Sequence, residues 1–416
     1  MQEKKIYLDN AATTPVSEEV LKEMFPYFSV LFGNASSFHS FGHAAAAAVG
    51  LARERAAKYF GVSPEEIVFT SGATESNNLA IKGAVKRFYE LNRKEDAKPH
   101  IITSSFEHHC VLDSCKAAEK EGLAEVTFLL PEADGVMDAK KVMAAIKPNT
   151  ILISLMYVNN EIGTVQPIAE LGELIKEENK KRGQKIIFHT DATQAIDYFD
   201  CHVDRLGVGL LSMSAHKIYG PKGIGLLYIK KGTPITKIQT GGGQEGRMRA
   251  GTLNVPGIVG LGKAISMIDS GKNKKVADLR DYLINRILKE IPDTTLNGSC
   301  ELRSPNNANI SFKNVEGESL LMLLDMHGIA VSTGSACSSD SLEPSHVLLS
   351  IGRKHEEAHG SIRMTLGKYN TREEIDYTVE KLKESVAKLR KVSGGVLTDF
   401  YKEKAAGRVM EDDHDH

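Results

Sequence analysis

Neither sign of charge dominates this sequence. Its 52 Lys and Arg oppose 54 Asp and Glu, a formal net charge of −2. That balance excludes the strong field a nucleic-acid or anionic-membrane binder presents. Long hydrophobic runs are also missing: the longest clearly apolar stretch, 151–158, is far too short to span a bilayer. Cysteine is sparse. The five residues, at irregular positions 110, 115, 201, 300 and 337, make no disulfide framework. The opening MQEKKIYLDN lacks the apolar core of a signal peptide, so a cytoplasmic location is expected. What is present is an ordinary globular balance over 416 residues, 41% apolar and 25% charged. The length suits two domains, or one large α/β domain with a smaller partner. A soluble intracellular enzyme fits these limits.

Short apolar runs alternate with amphipathic helical patterns through the first 230 residues. The pattern predicts strands at 67–70, 100–104, 125–130, 151–157, 185–190, 209–213 and 225–229. Several are apolar throughout, as strands buried on both faces are. Helices are expected at 43–59, 75–89, 110–121, 138–146 and 168–182. Strand then helix, repeated, predicts an α/β fold with a mostly parallel sheet flanked by helices. Ligands on such sheets sit beyond the carboxyl ends of the strands. After the glycine-rich stretch 240–252 the texture changes. Helices at 276–291, 317–326 and 371–390 with a strand at 309–312 predict a smaller α+β domain. The expected division is 15–255 for the large domain, 1–14 and 256–392 for the small one, and 393–416 for a flexible extension.

The densest chemical signal is Ser214-Ala215-His216-Lys217, just after an apolar strand. A lysine at a strand's carboxyl end, beside hydroxyl and imidazole groups, suits a buried amine that forms a Schiff base. Alone, it is more often a surface-loop lysine. Next is His189-Thr190-Asp191-Ala192-Thr193-Gln194, closing another strand. Asp191 can hold a pyridine nitrogen protonated, as pyridoxal 5′-phosphate (PLP) requires, or simply cap the next segment. Gln194 can donate to a ring oxygen. Thr70-Ser71-Gly72-Ala73-Thr74-Glu75 runs from a strand into a helix, where hydroxyls and free N–H groups make either a phosphate site or a plain N-cap.

Glu107-His108-His109-Cys110 again follows a strand. His108 can stack on a flat cofactor or carry protons. Its neighbours match no standard zinc spacing, so no metal is expected, and Cys110 is assigned to packing. The stretch 241–246 formally matches G-x-G-x-x-G. It continues into Arg247-Met248-Arg249 rather than an apolar helix, which points away from a nucleotide fingerprint and towards an intersubunit loop. Finally, Cys337 lies within a run of Ser, Gly and Ala suited to a moving loop. Downstream, Arg363 offers a fork for a carboxylate.

Taken in order, these segments resemble the NifS/IscS-like cysteine desulfurases, PLP enzymes of the class V aminotransferase group. The resemblance is carried by Tyr7-Leu-Asp-Asn-Ala-Ala-Thr-Thr14, Ala73-Thr-Glu75, Glu107-His108, Val158-Asn-Asn-Glu-Ile-Gly163 and Asp191-Ala-Thr-Gln194. It continues through Ser214-Ala-His-Lys217, Arg249-Ala-Gly-Thr252, Gly334-Ser-Ala-Cys337 and Ser361-Ile-Arg363. It implies PLP fold-type I, with Lys217 carrying the cofactor and His108 stacked over its ring. Asp191 would pair with the pyridine nitrogen and Gln194 with the phenolic oxygen. Ala73, Thr74, Ser214 and His216 would hold the phosphate, joined by Thr252 from the other subunit of a homodimer. Asn160 and Arg363 would bind the carboxylate of L-cysteine, and Cys337 would accept its sulfur. Sulfur would pass to an acceptor protein, an iron–sulfur scaffold or a tRNA-thiolation protein. Other PLP chemistry on the same scaffold, a selenocysteine lyase or an aminotransferase, is the alternative.

Overall fold

The computed structural model describes residues 5–92, 97–269, 271–333 and 344–405, with residues 272 and 393–405 described by backbone alone. The strands in chain order are β1 (Ile6–Tyr7), β2 (Ile67–Thr70), β3 (His100–Ser104), β4 (Glu125–Leu129), β5 (Thr150–Ser154) and β6 (Ile187–Asp191). They continue with β7 (Leu210–Ser214), β8 (Gly225–Ile229), β9 (Thr294–Leu296), β10 (Asn307–Phe312), β11 (Ile329–Ala330) and β12 (Ser361–Thr365).

Seven of them form one sheet in the order β2-β8-β7-β6-β5-β3-β4. Strands β3 to β7 run parallel, while β8 is antiparallel to both β2 and β7. Strand β2 therefore points the same way as β7, and the carboxyl ends of β2, β3, β5, β6 and β7 share one edge. Alternate side chains explain why helices cover both faces. Val68, Ile101, Leu152, Ile187 and Leu210 pack with the helices Ala73–Leu91 and His109–Lys120. Phe69, Ile102, Ile153, Phe188 and Leu211 face the other way, towards the helices Ser40–Phe60 and Ile168–Lys181. Each large apolar side chain so buried contributes roughly 1.5–3 kcal/mol.

The smaller unit holds the antiparallel sheet β12-β10-β9 and the parallel pair β1-β11. Its core joins Ile310, Phe312, Ile362 and Met364 to apolar residues of the helices Gly271–Glu290, Gly317–Met326 and Arg372–Ala405. Ile6 and Leu8, from the start of the chain, belong to the same core. Two boundaries differ from expectation. The helix Val255–Ser266 packs in the large unit's core, so a division at 255 leaves it on the wrong side. The last helix runs to Ala405, well beyond the 390 that the apolar pattern predicts. Among the described residues, no helix is long and apolar enough to cross a membrane.

Candidate active site

The shared edge of the large sheet collects the predicted residues. Beyond Ser214 the chain makes a single 3₁₀ turn, Ala215–Lys217. The His216 carbonyl anchors this turn by accepting from the Thr14 backbone N–H (2.8 Å) and hydroxyl (2.9 Å). Lys217 Nζ donates to the carbonyl oxygens of Ala11 (2.5 Å) and Ala12 (2.7 Å). Gln194 Nε2 donates to the same Ala11 oxygen at 3.0 Å. The N-terminal segment thus brings the amine and the amide to one point. The His216 ring lies 3.1 Å from the Thr13 hydroxyl, and burial, with Lys217 and Lys222 nearby, pulls its pKa down to about 4.

At the end of β6, Asp191 is buried and both its oxygens are used. Oδ1 accepts from the Thr193 N–H at 2.9 Å, and Oδ2 accepts from Asn77 Nδ2 at 2.7 Å. His189, two residues earlier, is fully buried between the Ser154 and Ser212 hydroxyls and is pulled down in pKa by burial.

Strand β2 runs into the helix Ala73–Leu91 through Gly72, at φ 155°, and no side chain caps that helix. Its first N–H groups, the donors an anion uses at a helix start, lie beside Ser214: a Cβ on Gly72 would stand 3.6 Å from the Ser214 hydroxyl. The cradle is tight, since a Cβ on Gly225 would come within 2.7 Å of Gly72 Cα. Glu75 ties it down, accepting from the Ser71 N–H (2.7 Å) and from Arg249 Nε (3.0 Å).

After β3, Glu107 is buried completely. Its Oε1 accepts from the Ser104 hydroxyl (2.7 Å) and the Met156 N–H (2.9 Å), Oε2 has no partner, and burial pushes its pKa to about 8. His108 caps the next helix through Nδ1. Burial lowers its pKa, Asp191 opposes that shift and Lys217 adds to it, so the three groups share one electrostatic neighbourhood.

Arg363, on β12, is buried beside them. It donates to the Asn160 carbonyl (3.0 Å) and pairs with Asp9 (2.9 Å), while its Nε and the Asn160 Oδ1 have no partner. Arg363 therefore keeps one buried guanidinium donor without a partner. Thr252 is not brought to this group; it lies exposed in its loop. Cys337 lies outside the described residues. Sequence patterning missed Asn77, whose amide touches both Asp191 and the Cys110 thiol. Its place one turn beyond Thr74 on the same helix face was the available signal.

The chemistry of these groups fits PLP: an uncapped helix start beside Ser214 suits a phosphate, the buried Asp191 a ring nitrogen, and Lys217 an amine on the same sheet edge. The family model described as Aminotransferase class-V matches residues 6–378. A protein named Cysteine desulfurase IscS from Dictyoglomus turgidum is 50% identical over 393 residues, 94% of this chain and 96% of that one. Among solved structures, one titled NifS-like protein has a TM-score of 0.84 at 37% identity, covering 92% of this chain and 100% of the other. Another, titled SspA in complex with cysteine, has a TM-score of 0.77 at 40% identity, covering 88% and 100%. The chain belongs to the class-V aminotransferase family. Its fold is PLP fold-type I, and its cofactor is PLP.

Proposed function

We propose that the protein is a cysteine desulfurase, converting L-cysteine to L-alanine and passing the sulfur to its own Cys337 as a persulfide. The observation that carries this reading is the convergence of Lys217, Asp191, Gln194 and His108 on one sheet edge, with the buried Arg363 on β12 keeping one donor unpartnered. Relatives named as cysteine desulfurases, and a structural neighbour holding cysteine, support the substrate.

When bound, PLP supplies an electron sink for the carbanion formed at the substrate Cα. Lys217 would anchor it, and the lysine amine would take the substrate Cα proton. Asp191 would keep the pyridine nitrogen protonated and Gln194 would donate to the phenolic oxygen. His108 would lie against the ring and hold a proton for transfer. Ala73 through its N–H, Thr74, Ser214 and His216 would bind the phosphate, with Thr252 of the other subunit in a homodimer. Asn160 and Arg363 orient the substrate carboxylate. Cys337 attacks the substrate sulfur as a thiolate; an S–S bond forms, the C–S bond breaks, and its electron pair stays with the carbon that becomes the alanine methyl. The persulfide then serves an acceptor protein in iron–sulfur assembly or another thiolation, in the cytoplasm.

The test is alanine released from L-cysteine by the purified holoenzyme with a reductant, beside Cys337→Ala. Alanine with matching sulfide, lost in the variant, supports the reading. Undiminished alanine from Cys337→Ala removes the persulfide step, and transamination without desulfuration replaces the reading altogether.

A further inference from the structure

Cys110 is the second residue of the helix His109–Lys120, and packing alone does not describe it. Its sulfur lies 2.9 Å from His108 Nδ1 and 3.1 Å from Asn77 Nδ2. Its backbone N–H also donates to that Nδ1, at 3.2 Å. The same Asn77 amide donates to Asp191 Oδ2 at 2.7 Å. An unbroken chain therefore runs from the Asp191 carboxylate through Asn77 and Cys110 to the His108 ring.

We propose that Cys110, tied through Asn77 to Asp191, is a positioning residue whose S–H donates to His108 Nδ1, keeping the ring neutral with its single proton on Nε2. Nδ1 already receives a backbone N–H, so a hydrogen on that nitrogen would face another hydrogen. Of the two side chains, only the thiol can then donate. The reverse assignment, thiolate against imidazolium, needs two charges in a buried place. Burial pushes the thiol up to about 12 and pulls the imidazole down, so both groups stay neutral.

The charged and titratable groups around the ring come from several elements. Asp191 on β6 and Asp113 on His108's own helix favour its protonation, whereas Lys217 and His109 oppose it. His346, from the helix His346–Ser350, is also near the ring, and its Nε2 lies 2.9 Å from the Glu107 carbonyl. Glu107 itself is buried and pushed to about 8, so it is a proton-bearing neighbour at neutral pH. Burial is the largest influence lowering the ring's pKa, and the short-range donors at Nδ1 act in the same direction. A ring so held presents a donor at Nε2. The use made of that proton rests on the desulfurase reading; the position of the proton does not.

The experiment observes the imidazole nitrogens of 15N-histidine-labelled holoenzyme by NMR across pH, with His108→Gln identifying the signal by its loss. The wild type is expected to show Nδ1 bare and Nε2 protonated, with the ring titrating below ordinary histidine. Cys110→Val fills the volume but donates nothing, and should raise the protonated-to-neutral ratio of His108 about tenfold at a given acidic pH. Cys110→Ser restores a donor and should return the ring to wild-type behaviour. A proton on Nδ1 in the wild type overturns the proposal, whatever the variants do. So does a Cys110→Val ring that titrates with the wild type, or a Cys110→Ser ring that titrates with Cys110→Val. Absence of alanine formation with the expected nitrogen signals would remove the desulfurase reading and leave this one standing.

Discussion

Lys217 holds its amine against two backbone carbonyls of the N-terminal segment. Replacing it with Ala should lower alanine formation by roughly 10²–10⁴-fold, the range set by losing one positioned proton-transfer group. The visible absorbance of the lysine-bound cofactor should vanish with it. Wild-type absorbance in Lys217→Ala would assign the anchor elsewhere. Glu107 carries a different consequence. Its carboxyl is raised to about 8 in the folded chain from an ordinary value of 4.5. Between those values the native state binds the proton that the unfolded state releases, so this residue's stabilisation is full below about pH 4.5 and declines as pH rises towards 8. Glu107→Gln removes that linkage. Urea titrations from pH 5 to 8 should show the wild type losing stability relative to the variant, at up to about 1.4 kcal/mol per pH unit; parallel curves would mean the carboxyl titrates normally. At this scale the sequence was most legible where a residue type sits at a strand end, as with Asp191 and Lys217. It was silent on Asn77 and on the Cys110 contact, because both depend on one helix face meeting the start of another.

The strands of the large sheet were readable because burial on both faces leaves little choice but Val, Ile, Leu and Phe. The helix Val255–Ser266 was not. Its Gly257, Gly260 and Gly262 are poor helix formers, yet two of them let it lie close: a Cβ on Gly262 would stand 2.7 Å from Ala52, and one on Gly260 2.5 Å from the Met24 sulfur. Tertiary proximity, invisible in propensity, decided that element. The same argument predicts the effect of crowding the phosphate cradle. A methyl on Gly225 would meet the Met213 carbonyl at 2.4 Å and Gly72 Cα at 2.7 Å, backbone on both sides. Gly225→Ala should therefore push β8 from the turn that begins the helix Ala73–Leu91, costing about 1–3 kcal/mol of stability. Cofactor affinity should fall at least about tenfold in a reconstitution titration of the apoprotein. Unchanged affinity with lowered stability would separate the cradle from this close approach.

The whole molecule is joined at the site by its first residues. The segment from Ile6 to Thr14 pairs with β11 and contributes Leu8 to the small core, while Asp9 pairs with Arg363. It also offers Ala11 and Ala12 to Lys217, and Thr14 to the His216 carbonyl. Such long-range returns leave no periodic trace, which is why the opening motif was readable only through family resemblance. Thr252 is the one predicted phosphate ligand this arrangement leaves outside, exposed in a loop that Arg249 ties to Glu75. If the partner subunit supplies it, mixed dimers of Lys217→Ala and Thr252→Ala chains have a definite composition. One site then combines both substitutions, and the other combines an intact lysine with an intact threonine. Dimers purified with two different affinity tags should show half the wild-type sites, each with wild-type cofactor affinity and wild-type alanine formation. If Thr252 instead served its own chain, every site in the mixed dimer would carry one defect. No site would then behave as wild type, and the weaker phosphate grip of Thr252→Ala would appear in every cofactor-competent site.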